Sequence, residues 1–131
     1  MTKTIFSQII DGEIPCHKIY EDDKVLAFLD IHPISTGHTL VIPKNPVQFV
    51  WDLPADDYQA LMAAAKKIAT HLRETLEIPY IGEQIVGVDV PHAHVHLVPF
   101  TSVNEYRNVP DMTTEPDHAE LAKLAETLRL A

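Results

Sequence analysis

The segment that starts at residue 92 reads His-Ala-His-Val-His-Leu-Val-Pro, and this alternation of imidazole and apolar side chains limits what the chain can fold into. Successive side chains of a β-strand point to opposite faces of a sheet, so a strand over 92–99 places all three imidazoles on one face. The apolar face of that strand needs a hydrophobic layer to cover it. The fold therefore contains a sheet with at least one covered face.

The other patterns predict that this strand belongs to an antiparallel sheet of about five strands in an α+β domain. Apolar residues recur every three or four positions from Tyr58 to Leu76, which predicts a long amphipathic helix packed on the sheet. Short helices are predicted near the two ends, over 5–10 and after the capping residue Asp117. The further predicted strands are 18–21, 24–29 and 38–43, and 80–90 is predicted to be a β-rich stretch that Gly82 and Gly87 interrupt.

Length and composition predict a single domain over 1–131, with a core over 5–99 and a C-terminal tail, 101–131, that contains a helix. Nineteen acidic against ten basic residues give a formal charge of -9, and a surface this acidic repels a phosphate backbone. Polymeric nucleic acid is therefore not an expected partner. No apolar run approaches the roughly 18 residues of a membrane span, so a membrane is not expected either. The single cysteine, Cys16, cannot form an internal disulfide, and we expect a cytoplasmic protein.

The alternating histidines allow three interpretations. Strand residues two apart are separated by about 6.6 Å, so two neighbouring imidazoles can converge on one zinc ion and a further ligand, for example His38, would have to come from elsewhere. Alternatively, a neutral imidazole whose tautomer a neighbour fixes is a good nucleophile toward phosphorus, while the other rings bind phosphate oxygens or relay a proton. The third interpretation is the polar face of an exposed edge strand. The crowding of the rings favours the nucleophile, because crowded rings disfavour each other's protonation.

Three segments resemble, in the same order, motifs of the histidine triad (HIT) superfamily. They are FSQIIDGEIP (6–15), YEDDKVLAFLDIHPISTGHTLVIPK (20–44) and PHAHVHLV (91–98). The resemblance spans about 5–99 and is closest to the Hint-like branch. It implies the HIT-like fold, a homodimer whose sheets join through the long helix and a strand, and nucleotide hydrolysis or transfer through a covalent nucleotidyl-histidine.

The resemblance also implies roles for four histidines. His94, the middle residue of the triad, is the expected nucleophile at the α-phosphate. His96 is expected to contact the phosphate and the leaving group. His92 and His38 are expected to orient the other rings and to relay protons.

A second set of residues matches the family's nucleoside pocket. Asp30 is expected to accept hydrogen bonds from the ribose hydroxyls. The remaining expected nucleoside contacts are Phe28, Ile31, Ile5, Phe6 and Ile9.

The chain departs from the family's pattern in two places. Many bacterial members bind a structural zinc ion through two cysteines and a histidine, but the matching positions here are Thr4, Ser7 and Pro46, so we predict no zinc. In the loop before the triad, Val88 stands where a glutamine is usual, and Asp89 stands where Ser or Thr is usual. Asp89 is therefore expected beside the nucleotide's phosphate, as a carboxylate close to an anion.

The leading hypothesis is a nucleotide hydrolase or transferase that cleaves the α-phosphate bond of a nucleoside 5′-monophosphate derivative such as a phosphoramidate. The expected substrate carries an AMP or GMP moiety, and no metal or organic cofactor is expected, because histidine supplies both the nucleophile and the acid. Two alternatives stay open. One is a dinucleoside polyphosphate hydrolase that uses the same nucleophile, and the other is a nucleotide-binding module with little turnover.

Overall fold

A computed structural model describes residues 3–130 of the chain. The elements are α1 (Ile5–Ile10), β1 (Lys18–Glu21), β2 (Val25–Leu29), β3 (Thr39–Pro43), a 3-10 turn (Val50–Asp52), α2 (Ala55–Leu76), β4 (Tyr80–Gln84), β5 (Val95–Phe100), α3 (Val103–Tyr106) and α4 (His118–Leu128). The five strands form one antiparallel sheet in the order β1-β2-β3-β5-β4. The architecture is the predicted α+β fold.

Two hydrophobic layers cover the sheet. The larger one lies between the sheet and the helices α2 and α4, and its fully buried members include Val41, Leu61, Ile68 and Leu97. The smaller one lies on the opposite face under α1. Its buried residues are Phe6, Leu26, Phe28, Leu40 and Ile42. The sheet is therefore covered on both faces, and the smaller layer adjoins the histidines.

The helix ends follow the capping signals in the sequence. The Thr4 hydroxyl accepts a hydrogen bond from the Ser7 N–H at the start of α1, and Gly12, at φ +79°, follows its last turn. Pro54 precedes α2, and the Asp117 carboxylate accepts from the Glu120 N–H at the start of α4. Each predicted helix is thus present, and α3 is an additional short one.

The predicted strand over 92–99 is wrong at its start, because the sheet pairing of β5 begins at Val95. The pairing of β5 with β3 stops at Val41, although β3 continues to Pro43, and the Ala93 N–H instead bonds to the Val47 carbonyl in the connection after β3, at 2.8 Å. His92 and His94 therefore lie in an irregular segment before the strand. Their side chains still alternate with buried apolar ones, so the predicted face is preserved.

The predicted β-rich stretch over 80–90 is shorter in the structure, since β4 ends at Gln84. Gly82 does not interrupt this strand. Its missing side chain leaves room for the ring of Tyr106, which lies directly over it. The residues after Gln84 form the irregular loop that leads to the histidines.

Helices α1, α2, α3 and α4, and every other helical turn over 3–130, are too short or too polar to cross a bilayer.

Candidate active site

Four imidazoles meet on the face of the sheet that α1 covers. His96 lies in β5, His94 and His92 lie just before that strand, and His38 precedes β3. The rings of His94 and His96 are adjacent, with centroids 4.9 Å apart. His38 Nε2 lies 3.0 Å from His96 Nδ1. The structure therefore brings together all four histidines that the sequence singled out.

The ring of His94 is fixed by its own backbone. Its Nδ1 lies 2.7 Å from the His92 carbonyl oxygen, which can only accept, so the proton is on Nδ1 and the lone pair is on Nε2. No residue within 3–130 hydrogen-bonds to that Nε2, and no buried polar side-chain atom in this range lacks a partner. The His94 Nε2 lone pair is therefore open to solvent, although the residue is only 4% exposed.

A chain of two hydrogen bonds sets the tautomer of His96. The Ile34 N–H donates to His38 Nδ1 at 3.0 Å, so His38 carries its proton on Nε2. His38 Nε2–H then donates to His96 Nδ1, which leaves the proton of His96 on Nε2. Side by side, His94 presents a lone pair and His96 presents an N–H.

His92 is held on both sides and faces away from this pair. Its Nε2–H donates to the Pro43 carbonyl at 2.8 Å, and its Nδ1 lies 3.5 Å from the Thr4 hydroxyl. The ring of Phe6 packs edge-on against both His92 and His94, at centroid distances of 5.9 and 5.1 Å. His92 thus links α1, the end of β3 and the backbone that orients His94.

Burial favours the neutral form of the His38, His92 and His96 rings by lowering their pKa values. It lowers the pKa of His38 to about 4, and burial, together with the neighbouring His94 and His38, lowers the pKa of His96 to about 4. Burial is also the main reason that the pKa of His92 is lowered. The pKa of Asp30, whose Oδ2 lies 3.6 Å from His38 Nε2, is raised by burial.

These pKa values predict that the protein loses stability in mild acid. In the unfolded chain His38 and His96 take up protons below their ordinary pKa of 6.5, whereas the folded rings resist protonation down to about 4. The unfolded state therefore binds more protons across this window, and the free energy of unfolding should fall by about 2 to 4 kcal/mol between pH 7 and pH 5. Urea unfolding at the two pH values measures this. Equal stability at both would contradict it.

Asp30, His38 and His96 also come close enough to suggest a metal site, with ligand atoms all within 4.8 Å. The hydrogen bonds argue against a metal there. A metal on His38 Nε2 would have to displace the proton, while the Ile34 N–H occupies the other nitrogen. The ring would then need to become an imidazolate or to lose that bond, so His38 and His96 suit a hydrogen-bonded pair better.

The positions of the family's structural zinc carry poor ligands in this chain. The Thr4 and Ser7 hydroxyls lie 3.2 Å apart beside His92, but zinc prefers thiolate and imidazole over a hydroxyl. Pro46 offers no side-chain ligand.

The residues expected to bind the nucleoside divide into buried and exposed ones. Phe6 and Phe28 are buried in the smaller core layer, 5.7 Å apart between ring centroids. Ile5 and Ile31 are 48% and 42% exposed, and Ile9 is half-buried. A base at this place would rest on the isoleucines, with the two phenylalanines supporting them from below.

A cavity lies beside the hydrogen-bonded pair of His38 and His96. It encloses about 570 Å³ between the loop 30–38 and the C-terminal tail. Asp30, Ile31 and His38 line it, whereas His94, His96 and the residues of α1 do not. The Nε2 atoms of His94 and His96 therefore belong to residues that do not line this cavity.

A smaller cleft borders His94 itself. It is lined by Phe49, Trp51 and Val86 among others, and Trp51 is 70% exposed. Asp89 is exposed in the adjoining loop. Its negative charge partly offsets the lowering of the His96 pKa by burial. No lysine or arginine of residues 3–130 lines this cleft or the larger cavity. The cleft beside His94 thus has no described cation in its lining, and the Asp89 carboxylate lies in the loop next to it.

Several groups that hold the site were missed by sequence reasoning. They are the Ile34 N–H, the carbonyl oxygens of Pro43 and His92, and the Thr4 hydroxyl. Three of them are main-chain groups, and since any residue type supplies a carbonyl and any but proline an N–H, no side-chain pattern indicates them. Thr4 could have been identified from the sequence, because it stands at a position where many bacterial family members carry a zinc ligand.

Comparison with known proteins shows which family the chain resembles. The model of the HIT domain family matches residues 11–103. The adenosine 5′-monophosphoramidase HNT1 of Saccharomyces cerevisiae is 34% identical over 125 residues, which cover 95% of this chain and 79% of the yeast protein. The Bacillus subtilis protein named hit is 41% identical over 101 residues, 72% of this chain and 69% of that protein.

Solved structures give the same result. A Hit-like protein from Bartonella henselae, described as involved in cell-cycle regulation, superposes with a TM-score of 0.82 at 30% identity. The alignment covers 97% of this chain and 95% of that one.

Proposed function

The chain belongs to the HIT family, and from this premise we propose that it is a nucleotide hydrolase or transferase that works through a covalent nucleotidyl-histidine. One observation carries the proposal: His94 offers an unprotonated, accessible Nε2 directly beside the free Nε2–H of His96. This pairing of a nucleophile and a hydrogen-bond donor suits attack at phosphorus. The 34% identity to a yeast adenosine 5′-monophosphoramidase supports a phosphoramidate of AMP or GMP as substrate.

In the proposed reaction the His94 Nε2 lone pair forms a bond to the α-phosphorus. The bond to the leaving nitrogen breaks, and its electron pair departs on that nitrogen, which takes a proton from solvent. His96 Nε2–H donates a hydrogen bond to a phosphoryl oxygen or to the leaving nitrogen. Water then attacks the same phosphorus and loses a proton to solvent, while the N–P bond to His94 breaks and its electron pair returns to Nε2. The mononucleotide is released and His94 is neutral again.

Asp30 is proposed to bind the ribose. Its Oδ1 accepts from the His32 N–H at 2.8 Å, and Oδ2 is directed toward His38. Ile5, Ile9 and Ile31 are proposed to contact the base, supported by Phe6 and Phe28. This places the nucleoside near α1 and the leaving group near the loop 85–89.

The small cleft beside His94, whose described lining holds no lysine or arginine, favours a short leaving group over a polyphosphate chain. A chain of phosphates would need cations, and the cleft carries Phe49, Trp51 and Val86 with Asp89 nearby. Dinucleoside polyphosphate hydrolysis is therefore less well supported.

Intact-protein mass spectrometry after brief mixing with adenosine 5′-phosphoramidate tests the proposal. We expect one added adenylyl mass, because the intermediate is covalent. If no adduct forms and AMP is not released, while calorimetry still detects AMP binding, the chain is a nucleotide-binding module and the proposal is wrong.

Replacement of Asp89 by asparagine should improve catalysis on this substrate. The exposed carboxylate repels the anionic phosphate, so we expect kcat/KM to rise about 2- to 5-fold, an effect that shrinks at high salt. Asp111→Asn, in the tail, is the control for general loss of negative charge. Equal changes in both variants would show that Asp89 has no specific effect.

We also propose a homodimer that forms through β4 and α2. β4 is the edge of the sheet, and Tyr80 on it is 55% exposed. Light scattering after gel filtration should give twice the chain mass, and Tyr80→Lys should shift it to the single-chain mass. Met112→Lys, at an exposed tail position, is the control. A dimer that persists in Tyr80→Lys would contradict the role of this edge.

A further inference from the structure

We infer that the main-chain amide of Ile34 fixes the protons of the catalytic histidines, so that His38 positions His96 as a donor and relays no proton to the leaving group. The inference rests on the proposed function, since it concerns how that reaction obtains its proton. It also departs from the expectation that His38 relays protons.

The hydrogen bonds of His38 block a proton relay through its ring. A relay through an imidazole requires a proton to enter at one nitrogen while another leaves from the second. His38 Nδ1 already accepts the Ile34 N–H at 3.0 Å, and an amide does not release its proton at ordinary pH. His38 is only 3% exposed, so its ring contacts protein atoms and very little solvent. A proton that left Nε2 would find no replacement at Nδ1.

The groups that surround His38 do not offer another route. Asp30 Oδ2 is 3.6 Å from His38 Nε2, beyond hydrogen-bond distance, and its other oxygen is held by the His32 N–H. The remaining titratable groups near the chain are His94 and Asp89, which act on His96. In the chain of hydrogen bonds from Ile34 through His38 to His96, each donor therefore keeps its proton on the Ile34 side of the bond.

The reversed order has a specific cost. It would place a proton on His38 Nδ1, facing the Ile34 N–H, and would leave one buried donor without an acceptor. It would also put a lone pair on His96 Nε2, beside the lone pair of His94 and toward an anionic phosphate. The Ile34 amide thus keeps the donor on the side of His96 that faces the substrate.

This arrangement has a consequence for the chemistry. The nitrogen of a phosphoramidate must leave as a neutral amine, so it takes a proton from the solvent before or during cleavage. The His94 lone pair forms the new N–P bond, the old P–N bond breaks, and its electron pair departs on the protonated nitrogen. A leaving group that is stable as an anion needs no such proton.

Two substrates and two variants test the inference. The substrates are the phosphoramidate of AMP with a simple amine and the ester of AMP with p-nitrophenol, whose phenolate leaves without a proton. His38→Gln keeps a donor near the position of Nε2 but cannot relay, and His38→Leu has similar bulk and no donor. The measurement is kcat/KM for each substrate from pH 5 to pH 8, with unfolding curves to establish that each variant folds.

For His38→Gln we expect both substrates to change by the same small factor, within about fivefold, with unchanged pH profiles. For His38→Leu we expect both to fall by about 10-fold or more, because His96 is no longer positioned. If His38→Gln loses the phosphoramidate selectively while the nitrophenyl ester is still cleaved, His38 does relay protons and the inference is wrong. If the wild-type protein cleaves neither substrate, the proposed function itself fails.

A second measurement needs no variant. Two-bond proton–nitrogen NMR spectra of the labelled wild-type protein distinguish the tautomers of each histidine. We expect His38 and His96 to carry the proton on Nε2 and His94 to carry it on Nδ1. A proton on His38 Nδ1 would overturn the inference.

Discussion

Replacement of His94 by alanine should eliminate the nucleotidyl adduct and lower kcat/KM by about 10³- to 10⁵-fold. The loss is expected to be this large because His94 Nε2 is the free lone pair beside the His96 donor, and the Nδ1 bond to the His92 carbonyl orients it. Without the His94 imidazole, water would have to attack the phosphorus directly. The residual rate would come from the contacts that bind the substrate.

Mass spectrometry and a steady-state assay for AMP release measure this effect. His118→Gln is the matched control, since His118 is an exposed imidazole that bonds to His17 near the start of α4. The control should keep wild-type rates. A His94→Ala variant that still forms an adduct would mean that another ring is the nucleophile.

Replacement of Phe6 by alanine should have the largest effect on stability of any change near the site, about 3 to 5 kcal/mol. Phe6 is the buried residue of α1, and it contacts Phe28 in the core and the rings of His92 and His94. Its loss would leave a cavity under the nucleophile. We therefore also expect a lower kcat, because His94 would gain rotational freedom.

The neighbouring Ile5→Ala provides the comparison, because Ile5 belongs to the same helix but is 48% exposed. It should cost less than about 0.5 kcal/mol and should raise KM if Ile5 contacts the base. Urea unfolding of both variants measures the two losses in the free energy of unfolding. Similar losses of stability in the two would show that Phe6 does not anchor α1.

The side-chain patterns were sufficient to predict the fold. The repeat of apolar residues from Tyr58 to Leu76 predicts α2, and its observed end at Leu76 agrees because Glu77 takes a left-handed conformation. The alternating histidine segment was less reliable. It predicts a strand from 92, but alternation reports only which face each side chain takes, and the pairing with β3 stops at Val95 although β3 continues to Pro43.

The candidate site could be predicted only in part. The four imidazoles were identified because histidine chemistry is visible in the sequence, and the structure does place them together. The proton on each ring was not predictable, because it depends on contacts between distant segments. The Pro43 carbonyl meets His92 across 49 positions, and His38 meets His96 across 58.

The reliance on main-chain partners has a genetic consequence. Three of the four rings are oriented by an amide or a carbonyl, namely those of Ile34, Pro43 and His92. A codon change at such a position replaces a side chain and, unless it introduces a proline at residue 34, leaves the orienting group in place. The surrounding sequence can thus drift while the imidazoles keep their protonation, and a saturation-mutagenesis screen would detect the histidines and miss much of what aligns them.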